Sequence, residues 1–303
     1  IFPLFLFLVG CVIPYSLQKY QSQPGAAAWR ILRRVMLLVL LGLIANGLLK
    51  LRPDSLRYCG VLQRIGVCYG VAAFLYLRFR VRGLSLLTAG ILLGYWAVLA
   101  LIPAPGGVPG DYTKAGNLAG WLDRRLLPGQ IPAQWYGFGD NEGLLSTIPA
   151  VATALLGVLA GLWLKSGRSG FLKAAGLAAA GVAFVFAGYE WARWFPIIKN
   201  IWTSSFVLVA GGFSLLLLSV FYLVIDVWGL RRPAFFWEVI GVNAIAIYMV
   251  PRFVEFDNIA GFFLGGLAVR SGMWGSLIMA TGAIAAQWLF LWWLYRSRTF
   301  LRL

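Results

Sequence analysis

The 303-residue chain is predicted to be an all-α, polytopic helical membrane protein, and three observations lead there. It is 61% hydrophobic and only 12% charged, with a mean hydropathy of +0.82, outside the range of soluble domains. Apolar runs of about 18 residues or more recur along it, each enough to cross ~30 Å of hydrocarbon at ~1.5 Å per residue. Period-2 alternation of the kind a barrel needs is absent, and backbone groups in lipid must pair within their own segment, which leaves helices.

Nine such runs follow in order: 1–17, 31–49, 60–79, 84–102, 144–164, 171–191, 201–227, 235–254 and 273–295. About nine transmembrane helices are therefore expected. The chain has no initiator Met and starts inside an apolar run, so one further span is expected upstream, entering from the cytoplasm. No secretory signal peptide is recognisable at the start. Repeats of 20–50 residues and inverted halves are not evident, and a single membrane domain over 1–303 is the economical reading.

The net charge of +16 is a topological signal and gives no support to nucleic-acid binding. When the connections are numbered alternately from residue 1, one face collects 15 of the 26 basic residues, Lys19, Arg30, Arg33, Arg34 and Arg302 among them, against Asp226 and Glu238. The positive-inside rule makes that face cytoplasmic, with the C-terminus on it. The other face then carries the long polar break at 103–142, which holds Asp111, Asp123, Asp140 and Glu142, four of the chain's ten acids. Pro and Gly over 103–110 mark turns. Residues 119–127 read as a short interfacial helix with Trp121 and Leu122 toward lipid and Asp123, Arg124 and Arg125 outward. Tryptophans near the span ends form an ordinary aromatic belt. Gly66-xxx-Gly70, Gly90-xxx-Gly94 and Gly157-xxx-Gly161 are positioned for close helix approach.

Polar residues inside spans are costly and mark candidate sites. Gln63 and Arg64 lie one turn into the third run, where a guanidinium needs a carboxylate, a phosphate or water; a structural ion pair is the competing explanation. Asp140-Asn141-Glu142 stands at the mouth of the fifth run. Close acids disfavour each other's ionisation, which suits one of them to hold a proton, whereas simple helix capping accounts comfortably for one acid and less well for two. Asn200, Trp202 and Ser204, at the entrance to the seventh run, offer amide and hydroxyl donors and an aromatic face for a sugar ring, against N-capping and a belt tryptophan. Asn243, inside the eighth run, is expected to bond a neighbouring helix. With no histidine in the chain, no Ser-His-Asp or Cys-His site can be built from it. Three cysteines form no metal motif or disulfide framework, and nucleotide and hydrolase motifs are absent.

Taken together, IFPLFLFLVG at 1–10, GVLQRIGVCY at 60–69, DNEGLLSTIPA at 140–150, KNIWTSSFVL at 199–208 and GVNAIAIY at 241–248 resemble the heparan-α-glucosaminide N-acetyltransferase family. The resemblance runs in order from residue 1 to about 250. It implies transfer of acetyl from cytoplasmic acetyl-CoA, a co-substrate, to a terminal glucosamine-type amino sugar on the outer face, with no metal. It also implies a catalytic histidine just ahead of Ile1, so that the chain as given is expected to be inactive alone. Asp140 and Glu142 would orient the amine, with Gln63, Arg64, Asn141, Asn200, Trp202, Ser204 and Asn243 contributing to substrate binding, Arg64 by balancing charge. Arg30, Arg33 and Arg34 would meet the CoA phosphates, although positive-inside topology alone accounts for basic residues there. Membrane lipids are the surroundings, a bacterial inner membrane is the expected location, and a homodimer is compatible with this reading. A sugar transporter, or an O-acyltransferase with another acceptor, is the alternative; the transporter gives the acid pair no task.

Overall fold

The computed structural model describes residues 1–20, 23–132 and 137–300, and every described regular element is helical; Arg302, counted above on the basic face, lies outside the described residues. The chain divides into two compact units, residues 1–223 and 224–303. The first contains α1 (Phe2–Ser16), α2 (Pro24–Ala45), α3 (Val61–Arg78), α4 (Val81–Leu101), α5 (Leu118–Leu126), α6 (Thr147–Leu164), α7 (Gly170–Trp191) and α8 (Ser204–Tyr222). Each of the first seven apolar runs became a helix. Among the described residues five helices are long and apolar enough to span a bilayer, and four of them begin in this unit, at Val81, Thr147, Gly170 and Ser204. α1 is shorter at 15 residues. α2 and α3 dilute their apolar character with Arg30, Arg33, Arg34, Gln63 and Arg64.

α6 is the axis of the unit. From Pro149 to Gly161 nearly every residue is buried, and α1, α3, α4 and α8 all pack against it. Backbone approach sets the α1–α6 spacing. A Cβ on Gly10 would lie 1.9 Å from the Ala154 carbonyl oxygen, one on Gly157 1.9 Å from that of Phe7, and one on Gly161 2.3 Å from that of Cys11. Gly66 and Gly70 do the same for α3 on α2, meeting Val35 and Leu38. A Cβ on Gly90 or Gly94 would meet nothing within 4 Å among the described residues, so this small-residue pair does not set a close helix approach. Gly157→Leu is therefore expected to remove the monodisperse folded species in size-exclusion chromatography, at a cost of about 3 kcal/mol. Gly90→Leu should leave the elution profile and Tm unchanged.

The second unit contains α9 (Phe235–Val242), α10 (Ala244–Met249), α11 (Phe256–Arg270) and α12 (Gly275–Arg296). Two findings depart from the sequence reading. The eighth apolar run is broken by 63° at Asn243, which ends α9 and opens α10 and so does not sit inside one continuous span. Residues 256–270, read as a connection, form a helix that packs on α12.

Candidate active site

The site lies in the first unit, where the 103–146 segment returns to the end of the bundle. α5 is anchored there by Leu118 and Ala119, which pack with Tyr95 and Leu99 of α4 and with Phe195 and Ile201 of the α7–α8 connection. Asn117 caps α5, its Oδ1 accepting the Gly120 N–H at 2.6 Å, worth about 1 kcal/mol. The interfacial-helix expectation is half right: α5 exists, but Asp123 is 1% exposed and points inward. Its Oδ1 accepts the Leu144 N–H at 2.9 Å.

The acids of 140–142 do not cap α6. That helix starts at Thr147 with Ser146 as its N-cap, and Asp140-Asn141-Glu142 forms a separate turn ahead of it. Arg57, which the sequence reading passed over, holds that turn. Its Nε donates to Asp140 Oδ2 at 2.7 Å and its Nη2 to Asp140 Oδ1 at 2.6 Å, a two-pronged pair, while Nη2 also donates to Glu142. The repulsion expected between the two acids is thus answered by one guanidinium between them. Burial works against the charge on Arg57, but its hydrogen bonds and attraction to Asp140, then Glu142, outweigh it and hold the guanidinium firmly protonated.

Local backbone geometry explains how Arg57 arrives there. Asn46, at the C-terminus of α2, donates from Nδ2 to the carbonyls of Arg57 and Cys59, both at 2.9 Å. On the other side Leu56 accepts the Gln130 N–H at 3.2 Å, beside a bridge between Arg57 and Gly129. Gly129 needs its left-handed φ of +78° and its missing side chain, since a Cβ would lie 2.1 Å from the Leu56 oxygen. Cys59, in the same segment, has its thiol pushed up to about 12, by burial first and then by Asp140 and Asp123. It stays protonated and is a poor nucleophile at neutral pH.

The remaining predicted residues separate into those brought to the turn and those held elsewhere. Asn200 Nδ2 donates to Asn141 Oδ1 at 2.5 Å, tying the α7–α8 connection to the turn. Arg64, 2% exposed, donates from Nη2 to Ser146 Oγ at 2.5 Å and to the Gly143 carbonyl at 3.2 Å. Its Nε and Nη1 have no hydrogen-bond partner among the described residues. Instead its guanidinium lies 5.0 Å from the Trp202 ring, a favourable arrangement when desolvated. Arg64 is therefore not the acids' direct ion-pair partner; Arg57 is.

Trp202 is a correction to the sugar-stacking expectation. Only 1% of it is exposed, its edge contacts with Phe2 and Phe206 have centroids 5.3 and 5.2 Å apart, and its Nε1 donates to Thr153 Oγ1 at 3.1 Å. Its φ of +54° costs about 1–3 kcal/mol in a bulky residue, strain that these contacts hold in place. Ser204 is also committed, fully buried and donating to the Leu92 carbonyl at 2.7 Å. Gln63 faces α2, with its Oε1 2.2 Å from where a Cβ on Gly42 would be. Asn243 belongs to the second unit. Arg30, Arg33 and Arg34 lie in the first half of α2, ~18–24 Å of helix away from Asn46 at its other end. Arg30 donates to the Tyr20 hydroxyl at 3.3 Å, Arg33 is exposed, and Arg34 sits 4.6 Å from the Tyr69 ring.

The result is a layered site. Asn141, Glu142 and Asn200 are part-exposed, and behind them lie the buried Asp123, Asp140 and Arg64, with Arg57 three-quarters enclosed or more. Three carboxylates face two guanidinium groups, which leaves the mouth suited to a cationic or amine-bearing ligand. Among the described residues no group of three or more His, Cys, Asp or Glu is arranged to hold a metal ion.

Fold and site define a polytopic helical membrane protein with an ion-paired acid turn at one end of its bundle. No protein-family model matches the sequence. The chain is 31% identical over 310 aligned positions to human "Heparan-alpha-glucosaminide N-acetyltransferase", covering 82% of this chain and 46% of that protein. The mouse protein of the same name is 30% identical over 313 positions, covering 84% and 47%. The chain belongs to the heparan-alpha-glucosaminide N-acetyltransferase family, and it spans about half the length of the curated relatives it matches.

Proposed function

We propose that this protein is an integral-membrane N-acetyltransferase that moves acetyl from acetyl-CoA to the amine of a terminal glucosamine-type sugar. The observation that carries the reading is the acid turn, in which Arg57 holds Asp140 and leaves Glu142 and Asn141 part-exposed, in a chain whose relatives are named for acetylating a glucosaminide. Glu142 receives the sugar's amine, with Asp140 and Arg57 fixing its position. Asn200 donates to the sugar or to the acetyl oxygen, and Arg64 supports the turn from below through Ser146 and Gly143 and balances its charge. Trp202 serves by seating Arg64.

In the reaction the amine nitrogen bonds to the acetyl carbonyl carbon and the thioester C–S bond breaks. CoA leaves as its thiolate, and the proton lost from nitrogen passes to a base. That base is assigned to the histidine that the resemblance implies ahead of Ile1. The basic first half of α2, at the other end of that helix from the acid turn, suits the CoA phosphates through Arg30, Arg33 and Arg34. Acetyl-CoA then approaches from the cytoplasm and the sugar from the opposite side, in a bacterial inner membrane with the C-terminus cytoplasmic.

The test is labelled acetyl-CoA with glucosamine and the complete gene product in detergent. Labelled N-acetylglucosamine is the expected product. Absence of labelled sugar, or uptake of unmodified sugar into vesicles instead, overturns the reading in favour of a transporter; acetyl on a hydroxyl would make it an O-acyltransferase.

A further inference from the structure

The acetyl-transfer reading leaves Asp123 without a task, although it is buried to 1% exposure at the centre of the site. Its Oδ1 accepts the Leu144 N–H at 2.9 Å, and the Asp140 N–H donates to the same carboxylate. These two amides bracket Asn141 and Glu142. The backbone closes on the carboxylate as well: a Cβ on Gly139 would lie 2.6 Å from Oδ2, and one on Gly143 1.8 Å. Gly139 also needs its φ of +82°. α5 is fixed from outside by Arg124, which donates from Nη1 to the Gly137 carbonyl at 2.7 Å. The turn that presents Glu142 is therefore wrapped around one carboxylate on a pinned helix.

We infer that Asp123 is a positioning residue whose ionised carboxylate shapes the Asp140–Asn141–Glu142 turn, and whose protonation loosens that turn on acidification. The claim that this loosening regulates turnover rests on the acetyl-transfer reading; the claim about the turn does not.

The groups facing Asp123 are Asp140 from the turn, Arg64 from α3, Cys59 ahead of α3 and Tyr95 from α4. Burial, helped by Asp140, outweighs the two amide hydrogen bonds and Arg64 and raises the carboxyl from 3.8 to about 6. Because the folded value lies above the unfolded one, the ionised form is a cost to the fold. That cost is absent below pH 3.8, grows as pH rises and is complete above about 6. Acidification from pH 7.5 to 5.5 thus raises global stability while the local order imposed by the charge is given up. A loosened turn withdraws the Leu144 and Asp140 amides while Asp123 stays buried, so its carboxyl there lies higher still and protonation favours the loosened turn within the folded protein.

Hydrogen–deuterium exchange over residues 138–146, corrected for the intrinsic pH dependence of exchange, tests this on the complete gene product. Wild type should lose about tenfold in protection between pH 7.5 and 5.5. Asp123→Asn should be as unprotected at pH 7.5 as wild type is at 5.5, with residues 151–160 of α6 unchanged and Tm at pH 7.5 equal to or above wild type. Wild-type protection that does not change with pH, or full protection in the variant, overturns the proposal. If Asp123→Asn fails to fold, the wild-type pH series alone decides. In the transfer assay the acid limb near pH 6 should be absent from the variant; no transfer by either protein would count against the acetyl-transfer reading and leave the exchange result standing.

Discussion

Glu142→Gln is expected to lower acetyl transfer by at least about 100-fold while leaving Tm within a degree or two of wild type. Glutamine keeps an oxygen for the Arg57 N–H and nearly the same volume, so Asp140 retains its two-pronged pair with Arg57. What is lost is the negative charge at the part-exposed end of the turn, where the sugar's amine is received. The loss should appear mainly in kcat, since misplacing the amine affects the reacting geometry more than the hold on the sugar. Asp140→Asn differs. Asp140 is 2% exposed and accepts from Arg57 twice and from the Glu142 N–H at 2.8 Å, so it should lose stability and transfer together. Steady-state kinetics beside thermal unfolding separates the two. Wild-type kcat in Glu142→Gln would remove Glu142 from the site.

Arg57→Leu should cost about 3 kcal/mol of stability and abolish transfer. The substitution leaves Asp140 and Glu142 next to each other without their shared cation, one of them buried; the penalty is mostly that of an uncompensated charge. Arg57→Lys restores a charge but not the planar fork that satisfies both Asp140 oxygens, and should fall between wild type and Leu. In a double-mutant cycle, adding Asp140→Asn to Arg57→Leu should recover part of the loss, since the cation and its principal anion leave together. Denaturation midpoints of the four proteins measure this. Strict additivity would mean that the pair seen at 2.6–2.7 Å contributes little.

The helical class was legible because hydropathy alone reports it: all nine apolar runs proved helical. What hydropathy cannot report is a break between two apolar stretches, and the 63° bend at Asn243 went unseen because residues on both sides are equally apolar. α11 was missed for the opposite reason. Glu255, Asp257 and Asn258 at its start read as a solvated connection. In the site, the 140–142 acids and Asn200 were visible as polar residues at span mouths, and in the structure Asn200 meets the turn through Asn141. Arg57 was invisible because one arginine among several near span ends carries no periodic signal; only the fold shows that Asn46 and Gly129 deliver it to the acids. Asp123 was placed outward because a charged position on a short amphipathic helix normally faces water. The available clue was Gly139 and Gly143 flanking the acid turn, room that a backbone needs when it closes around another group. Trp202 was read as an aromatic face for a sugar ring, with a belt tryptophan as the alternative, and its role under Arg64 depends on a left-handed backbone that sequence does not announce.

The complete gene product, reconstituted in vesicles, receives labelled acetyl-CoA on the face bearing the basic end of α2 and glucosamine on the other. Wild type should give labelled N-acetylglucosamine in the glucosamine compartment, and Glu142→Gln at least about 100-fold less. Product only when both substrates share a compartment, or equal product from the variant, would contradict the proposed function.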